Sequence, residues 1–221
     1  MKTGRPALLL AGSLAIMIAA CSSGASPTPI TTAGAVAAVL AQDPLFRGLA
    51  PLDPNAIGRS GWYEVQPAAD GGYTVRVTIG WGDCPAGCIN HHVWQFAVSS
   101  AGAVSLVGQS GATLPDVASG LRGTVSAGPS CPIVHDPPDP ACADKPVAGA
   151  VIVVTNVDGT PVLQITTGAD GTYDVPLGPG AYTIAPQPVE GFMGAPEAQT
   201  VRIEMGEGVI TLDFSYQTGI R

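Results

Sequence analysis

The stretch from Thr166 to Ile184, TTGADGTYDVPLGPGAYTI, constrains the fold more than any other part of this chain. It reads as strand, turn, strand, turn, strand. Asp170-Gly171 makes the first turn, because glycine tolerates φ > 0 and aspartate can bond its own backbone. Gly178-Pro179-Gly180 makes the second. Between them Tyr173, Val175 and Leu177 alternate with Thr172, Asp174 and Pro176, so one face is apolar. The pattern predicts a β-sandwich meander and reveals no chemistry of its own.

The neighbouring residues extend it. Strands are expected over Leu121–Ser126, Val147–Val157, Val162–Thr167, Gln199–Met205 and Val209–Tyr216, the last with Ile210, Leu212, Phe214 and Tyr216 inward. The continuous apolar run Val147–Val157 suggests a buried position. Seven short strands with regular turns give a sandwich of ~100 residues over 120–217, after a linker at 114–119. A chain with 29 Gly, 21 Pro and 12% charged residues favours such short strands over long helices.

Upstream, over 32–113, a small α+β domain is expected. Thr31 or Thr32 caps a helix over Ala33–Gln42, in which Val36, Val39 and Leu40 share one face and which Asp43-Pro44 ends. Leu45–Arg59 is irregular. A four-stranded antiparallel meander follows: Trp62–Gln66, Tyr73–Trp81, Val93–Val98 and Val104–Gly108. Tyr73, Val75, Val77, Ile79 and Trp81 form one face of the clearest strand. The fold class is therefore mainly β.

The first 20 residues carry Lys2 and Arg5, then an apolar run from Ala7 to Ala20 that suits a signal peptide. It ends Ile18-Ala19-Ala20-Cys21, which resembles the bacterial lipoprotein signal box. That resemblance implies transfer of a diacylglycerol to Cys21, cleavage before it, an acylated N-terminus there (the palmitate-type anchor) and a lipid bilayer as first partner. Residues 21–31, rich in Ser, Pro and Thr, are then a flexible tether. An ordinary signal peptide with a chance cysteine, or an uncleaved anchor, is the competing reading. The chain has five cysteines, an odd number; giving Cys21 to lipid leaves Cys84, Cys88, Cys131 and Cys142 as two local pairs. Export makes disulfides their default state.

The C-terminal half bears a second resemblance. Gly123-Thr-Val, Pro146-Val-Ala-Gly-Ala-Val-Ile-Val-Val, Thr167-Gly-Ala-Asp-Gly-Thr-Tyr and Pro179-Gly-Ala-Tyr-Thr-Ile resemble, in order, the carboxypeptidase regulatory-like domain, of transthyretin-like fold. The resemblance implies an accessory cell-surface module without catalytic residues. The Cys131–Cys142 insertion resembles that of exported bacterial versions. Trp81-Gly-Asp-Cys-Pro-Ala-Gly-Cys-Ile-Asn with Trp94 resembles a segment of uncharacterised exported bacterial proteins.

Several clusters are candidate sites. Cys84 and Cys88 with His91 and His92 give C-x3-C-x2-H-H, a spacing open to a disulfide-closed hairpin tip, a Zn or Cu site, or a redox pair. Neighbouring strand residues point to opposite faces, which argues against both histidines reaching one metal. His135, Asp136 and Asp139 lie inside the Cys131–Cys142 loop and Asp144 just outside, a second possible cation site. A bridge there would contribute up to ~3 kcal/mol. Trp62, Trp81 and Trp94 are expected in the core, with an exposed stacking or protein-binding surface as the alternative. No G-x-S-x-G, H-E-x-x-H or phosphate-binding loop is present, so no catalytic residue or cofactor is assigned. The formal charge is −8, and −10 without Lys2 and Arg5; with few clustered basic residues, this disfavours nucleic acid and anionic lipid surfaces as partners. The expected function is a non-catalytic binding or structural module, lipid-anchored at the cell membrane or outer membrane and facing outward, with an envelope protein or glycan as partner. The alternatives are a metal-binding lipoprotein and an unrecognised hydrolase or inhibitor.

Overall fold

A computed structural model describes residues 29–132, 136–137 and 139–220. The signal segment 1–20, Cys21, most of the tether and His135 lie outside the described residues.

The first body contains one helix and five strands. Helix α1 (Thr32–Leu40) is capped by Thr31, whose hydroxyl oxygen accepts the Gly34 amide at 3.1 Å. The strands are β1 (Ala50–Pro51), β2 (Gly61–Pro67), β3 (Tyr73–Trp81), β4 (Asn90–Val98) and β5 (Val104–Gly111), in spatial order β1-β2-β3-β4-β5. The expected four-stranded meander is there, and β1 adds a fifth strand, parallel to β2. That strand comes from the stretch expected to be irregular; two residues show no periodicity to read. The same stretch supplies Phe46 and Leu49 to the core. There Ala35 and Val39 of α1 meet Val75, Val77, Ile79, Trp94, Phe96 and Val98. The small alanine face lets the helix lie close on the sheet, as expected.

The second body is built around β6 (Gly120–Gly128). Beyond it come β7 (Lys145–Pro146), β8 (Val151–Asn156), β9 (Pro161–Thr166), β10 (Thr172–Pro176), β11 (Gly180–Pro186), β12 (Gln199–Ile203), β13 (Val209–Thr211) and β14 (Phe214–Gln217). One sheet gathers β10, β13, β14 and β7 on β6; the other runs β12-β11-β8-β9. Nine strands replace the expected seven. β7 is extra, and the last expected strand is split at Leu212-Asp213. Asp213 turns its carboxylate onto the amide and hydroxyl of Thr124, at 2.7 and 2.9 Å. β13 and β14 each then pair parallel to β6. The apolar run expected over Val147–Val157 forms a shorter strand in which only Ile152 and Val154 are fully buried.

Tyr173, Val175 and Leu177 are buried, and Thr172, Asp174 and Pro176 are exposed, as the alternation predicts. The meander itself is corrected. β9 and β11 belong to one sheet and β10 to the other, so both turns are arches that cross the sandwich. The physical reason is partner choice. β10 takes its ladder from β6, while β9 and β11 take theirs from β8. Tyr173 and Val175 can then face Ile165 and Ile184 across one core.

Candidate functional site

The two bodies meet at the second turn of the opening stretch. A Cβ on Gly178 would lie 2.0 Å from the Leu45 carbonyl oxygen, so only glycine lets the two backbones touch. The Tyr182 hydroxyl lies 2.9 Å from the Gly178 carbonyl and 3.2 Å from that of Arg47. Arg202 donates to the Gly58 carbonyl at 2.7 Å. Met205 of the second body is buried in the first core, and Leu114 of the expected linker packs against it. The linker ends at buried Ser119, which donates to the Leu177 carbonyl at 2.8 Å. None of this contact was legible in the sequence; three glycine or proline residues in a turn look the same with or without a neighbour.

At the end of the first sheet near this junction, Cys84 and Cys88 form a disulfide, and both are buried. The bridge lies over Gly80, where a Cβ would be 2.6 Å from the Cys88 sulfur. The hairpin-tip reading therefore holds, and these thiols are committed to each other. His91 and His92 do point to opposite faces. His92 lies on the helix side, its ring 4.4 Å from that of Trp94 and its Nδ1 2.8 Å from the Ala112 carbonyl oxygen. His91 lies on the other side, edge-on to Trp62 at 5.9 Å. The four residues of the candidate metal cluster are thus not brought together.

Cys131 and Cys142 form the second disulfide. Asp139 caps the turn leading to Cys142, accepting the Ala141 amide at 2.8 Å. Asp144 lies against Gly128 and Asp136 is exposed. Among the described residues, no three His, Cys, Asp or Glu side chains converge as metal ligands.

The tryptophans divide. Trp94 is core, 5.0 Å edge-to-face from Phe46. Trp81 is half-buried against the same core. Trp62 pairs with Thr78 in the ladder, on the face opposite Tyr63, Val65 and the helix. There it is half-buried, beside His91 and a recess of about 470 Å³ that reaches Leu52 and Pro85. Further along the same face Glu64, Gln66, Thr74, Arg76 and Gln95 line a second recess of about 220 Å³. Arg76 and Glu64 stand 3.9 Å apart. Sequence reasoning placed Trp62 in the core; the pairing of β2 with β3 puts it on the face that α1 does not cover.

The clearest electrostatic effect lies in the second body. The Tyr173 hydroxyl donates to the Leu212 carbonyl at 2.5 Å. Burial, with a smaller contribution from the Asp213 carboxylate, pushes it up to about 12. Burial also raises Tyr63, Tyr182 and Tyr216. Asp170 is held low by hydrogen bonds from the Thr172 hydroxyl and amide, which fix the first turn of the opening stretch.

No family model matches the chain, and no curated protein matches it. Among solved structures, the Bacillus anthracis TIE protein aligns over 72% of this chain and 26% of its own, with 11% identity and a TM-score of 0.35. GBS52, the minor pilin of Streptococcus agalactiae, aligns over 65% of this chain and 68% of its own, with 14% identity and a TM-score of 0.35. BcpA, the major pilin subunit of Bacillus cereus, aligns in one structure over 64% and 42%, with 12% identity and a TM-score of 0.31. The chain thus spans about a quarter of the first of these proteins.

Proposed function

We propose that this chain is an exported lipoprotein, acylated at Cys21, that serves as a non-catalytic binding or structural module at the cell envelope. Its second body acts in this reading as an accessory module of the carboxypeptidase regulatory-like kind. The observation that carries the reading is cysteine use. The two bridges take up Cys84, Cys88, Cys131 and Cys142, the four cysteines downstream of Cys21. Disulfides belong to an oxidising compartment, and Cys21 stands where the small residues of a lipoprotein box end. Among the described residues no helix is long and apolar enough to cross a membrane. In this reading the attachment is the acyl chain on Cys21.

The way the chain enters the first body supports display away from a membrane. The Ile30 amide bonds the Ser100 carbonyl at 3.0 Å, at the turn joining β4 to β5. The Cys84–Cys88 tip and the exit toward the second body lie at the other end of those strands, roughly 30 Å away for nine residues. A tether attached at Ile30 would present the tip and the sandwich outward.

The test is fractionation of a bacterium expressing the full chain while fed a labelled fatty acid. The native chain is expected in the membrane fraction with label incorporated. Cys21→Ser is expected to lose the label. A labelled Cys21→Ser chain, or an unlabelled native one, refutes the anchor.

A further inference from the structure

We propose that the face of the first sheet opposite the helix binds an uncharged linear polysaccharide, along a track from the Cys84–Cys88 tip past Trp62 to the Glu64–Arg76–Gln95 row. The proposal rests on the binding-module reading above and names its site and ligand class. The smaller recess is lined by five side chains, every one able to hydrogen-bond. Glu64 and Arg76 oppose each other across the β2–β3 ladder and cancel in charge, so the recess matches a neutral ligand better than an ion. Arg76 donates only, Glu64 accepts only, and Gln66, Gln95 and Thr74 do both. A ligand satisfying that set must itself carry closely spaced donors and acceptors, as the hydroxyls of a sugar do.

Trp62 supplies the other half of the recognition. It lies on the same face as the polar row, two residues from Glu64, and lines the larger recess with Leu52, Pro85 and His91. A pyranose offers a C–H face to such a ring while its hydroxyls point to the edges. The recess beside Trp62 is mostly apolar, with Leu52 and Ile57 exposed around it; a protein partner that used it as an apolar centre would leave the Glu64–Gln95 row, which has none, unmatched. From Trp62 to Gln66 the strand covers about 13 Å, more than one sugar ring, which selects a chain over a monosaccharide.

The experiment titrates the full acylated chain, extracted in a detergent without a sugar head group. The probes are hexamers of β-1,4-linked glucose, β-1,4-linked N-acetylglucosamine and α-1,4-linked glucose, followed by calorimetry and tryptophan fluorescence. At least one is expected to bind saturably. Trp62→Ala is expected to weaken it by about tenfold or more. Gln95→Ala, an exposed position outside the core, is expected to weaken it by roughly three- to tenfold, and decides the matter if Trp62→Ala does not fold. Absence of binding by all three probes, or equal binding by native chain and variants, overturns the site. A chain that carries lipid at Cys21 and binds none of them refutes this site and leaves the anchored module standing; a chain without lipid refutes the module.

Discussion

Tyr173 shows how a single buried hydroxyl ties stability to pH. It is 5% exposed, donates to the Leu212 carbonyl, and titrates near 12 in the folded chain. Unfolded, it returns to about 10. The folded state therefore holds this proton more tightly. The stabilisation is complete below pH 10 and disappears as pH rises from 10 through 12, with a total on the order of 2–3 kcal/mol. Chemical denaturation at a series of alkaline pH values checks it: Tyr173→Phe should flatten the fall between pH 10 and 12, and a variant that falls as steeply as the native chain would disprove the assignment. Period-two alternation alone made Tyr173 legible as a core residue, and it also separated His91 from His92. It could not reveal the hydrogen bond to Leu212, because that bond depends on a break at Leu212-Asp213 made by a partner 89 residues away, Thr124.

At the scale of elements, the stretch from Thr166 to Ile184 is where sequence reasoning both succeeded and stopped. The strands, the turns and the buried face follow from local chemistry. The pairing does not, since a hairpin and an arch can share one turn sequence; what decides between them is whether β6 and β8 outcompete the neighbouring strand. The Gly178–Gly180 turn was equally illegible as a docking element, because its constraint is the Leu45 backbone. Gly178→Ala should therefore destabilise the chain by roughly 2–4 kcal/mol, since the obstructing atoms are backbone that cannot rotate away. Gly108→Ala on β5, where an added Cβ meets nothing within 4 Å, is the control and should change stability by less than about 0.5 kcal/mol. Equal midpoints for the two variants in urea would show that the turn does not carry the contact.

At the scale of the whole molecule, two β-rich bodies share buried residues, and the chain enters the first at the end far from the second. The mainly β architecture, the helix and both disulfides were legible from composition, alternation and cysteine pairing. The extra strands β1 and β7 were not, since two residues are too short for any period. The sheet face bearing Trp62 was hidden for a different reason: alternation says that two faces exist, and only the packed helix says which is covered. The proposed function joins attachment at one end, through Cys21, to open surface on the sheet. The measurement that reaches that claim most directly is the mass of the N-terminal peptide of the mature chain recovered from its membrane. The expected peptide begins at Cys21 and is heavier by a diacylglyceryl group; a chain that keeps residues 1–20, or that begins elsewhere without lipid, would contradict the proposed anchor.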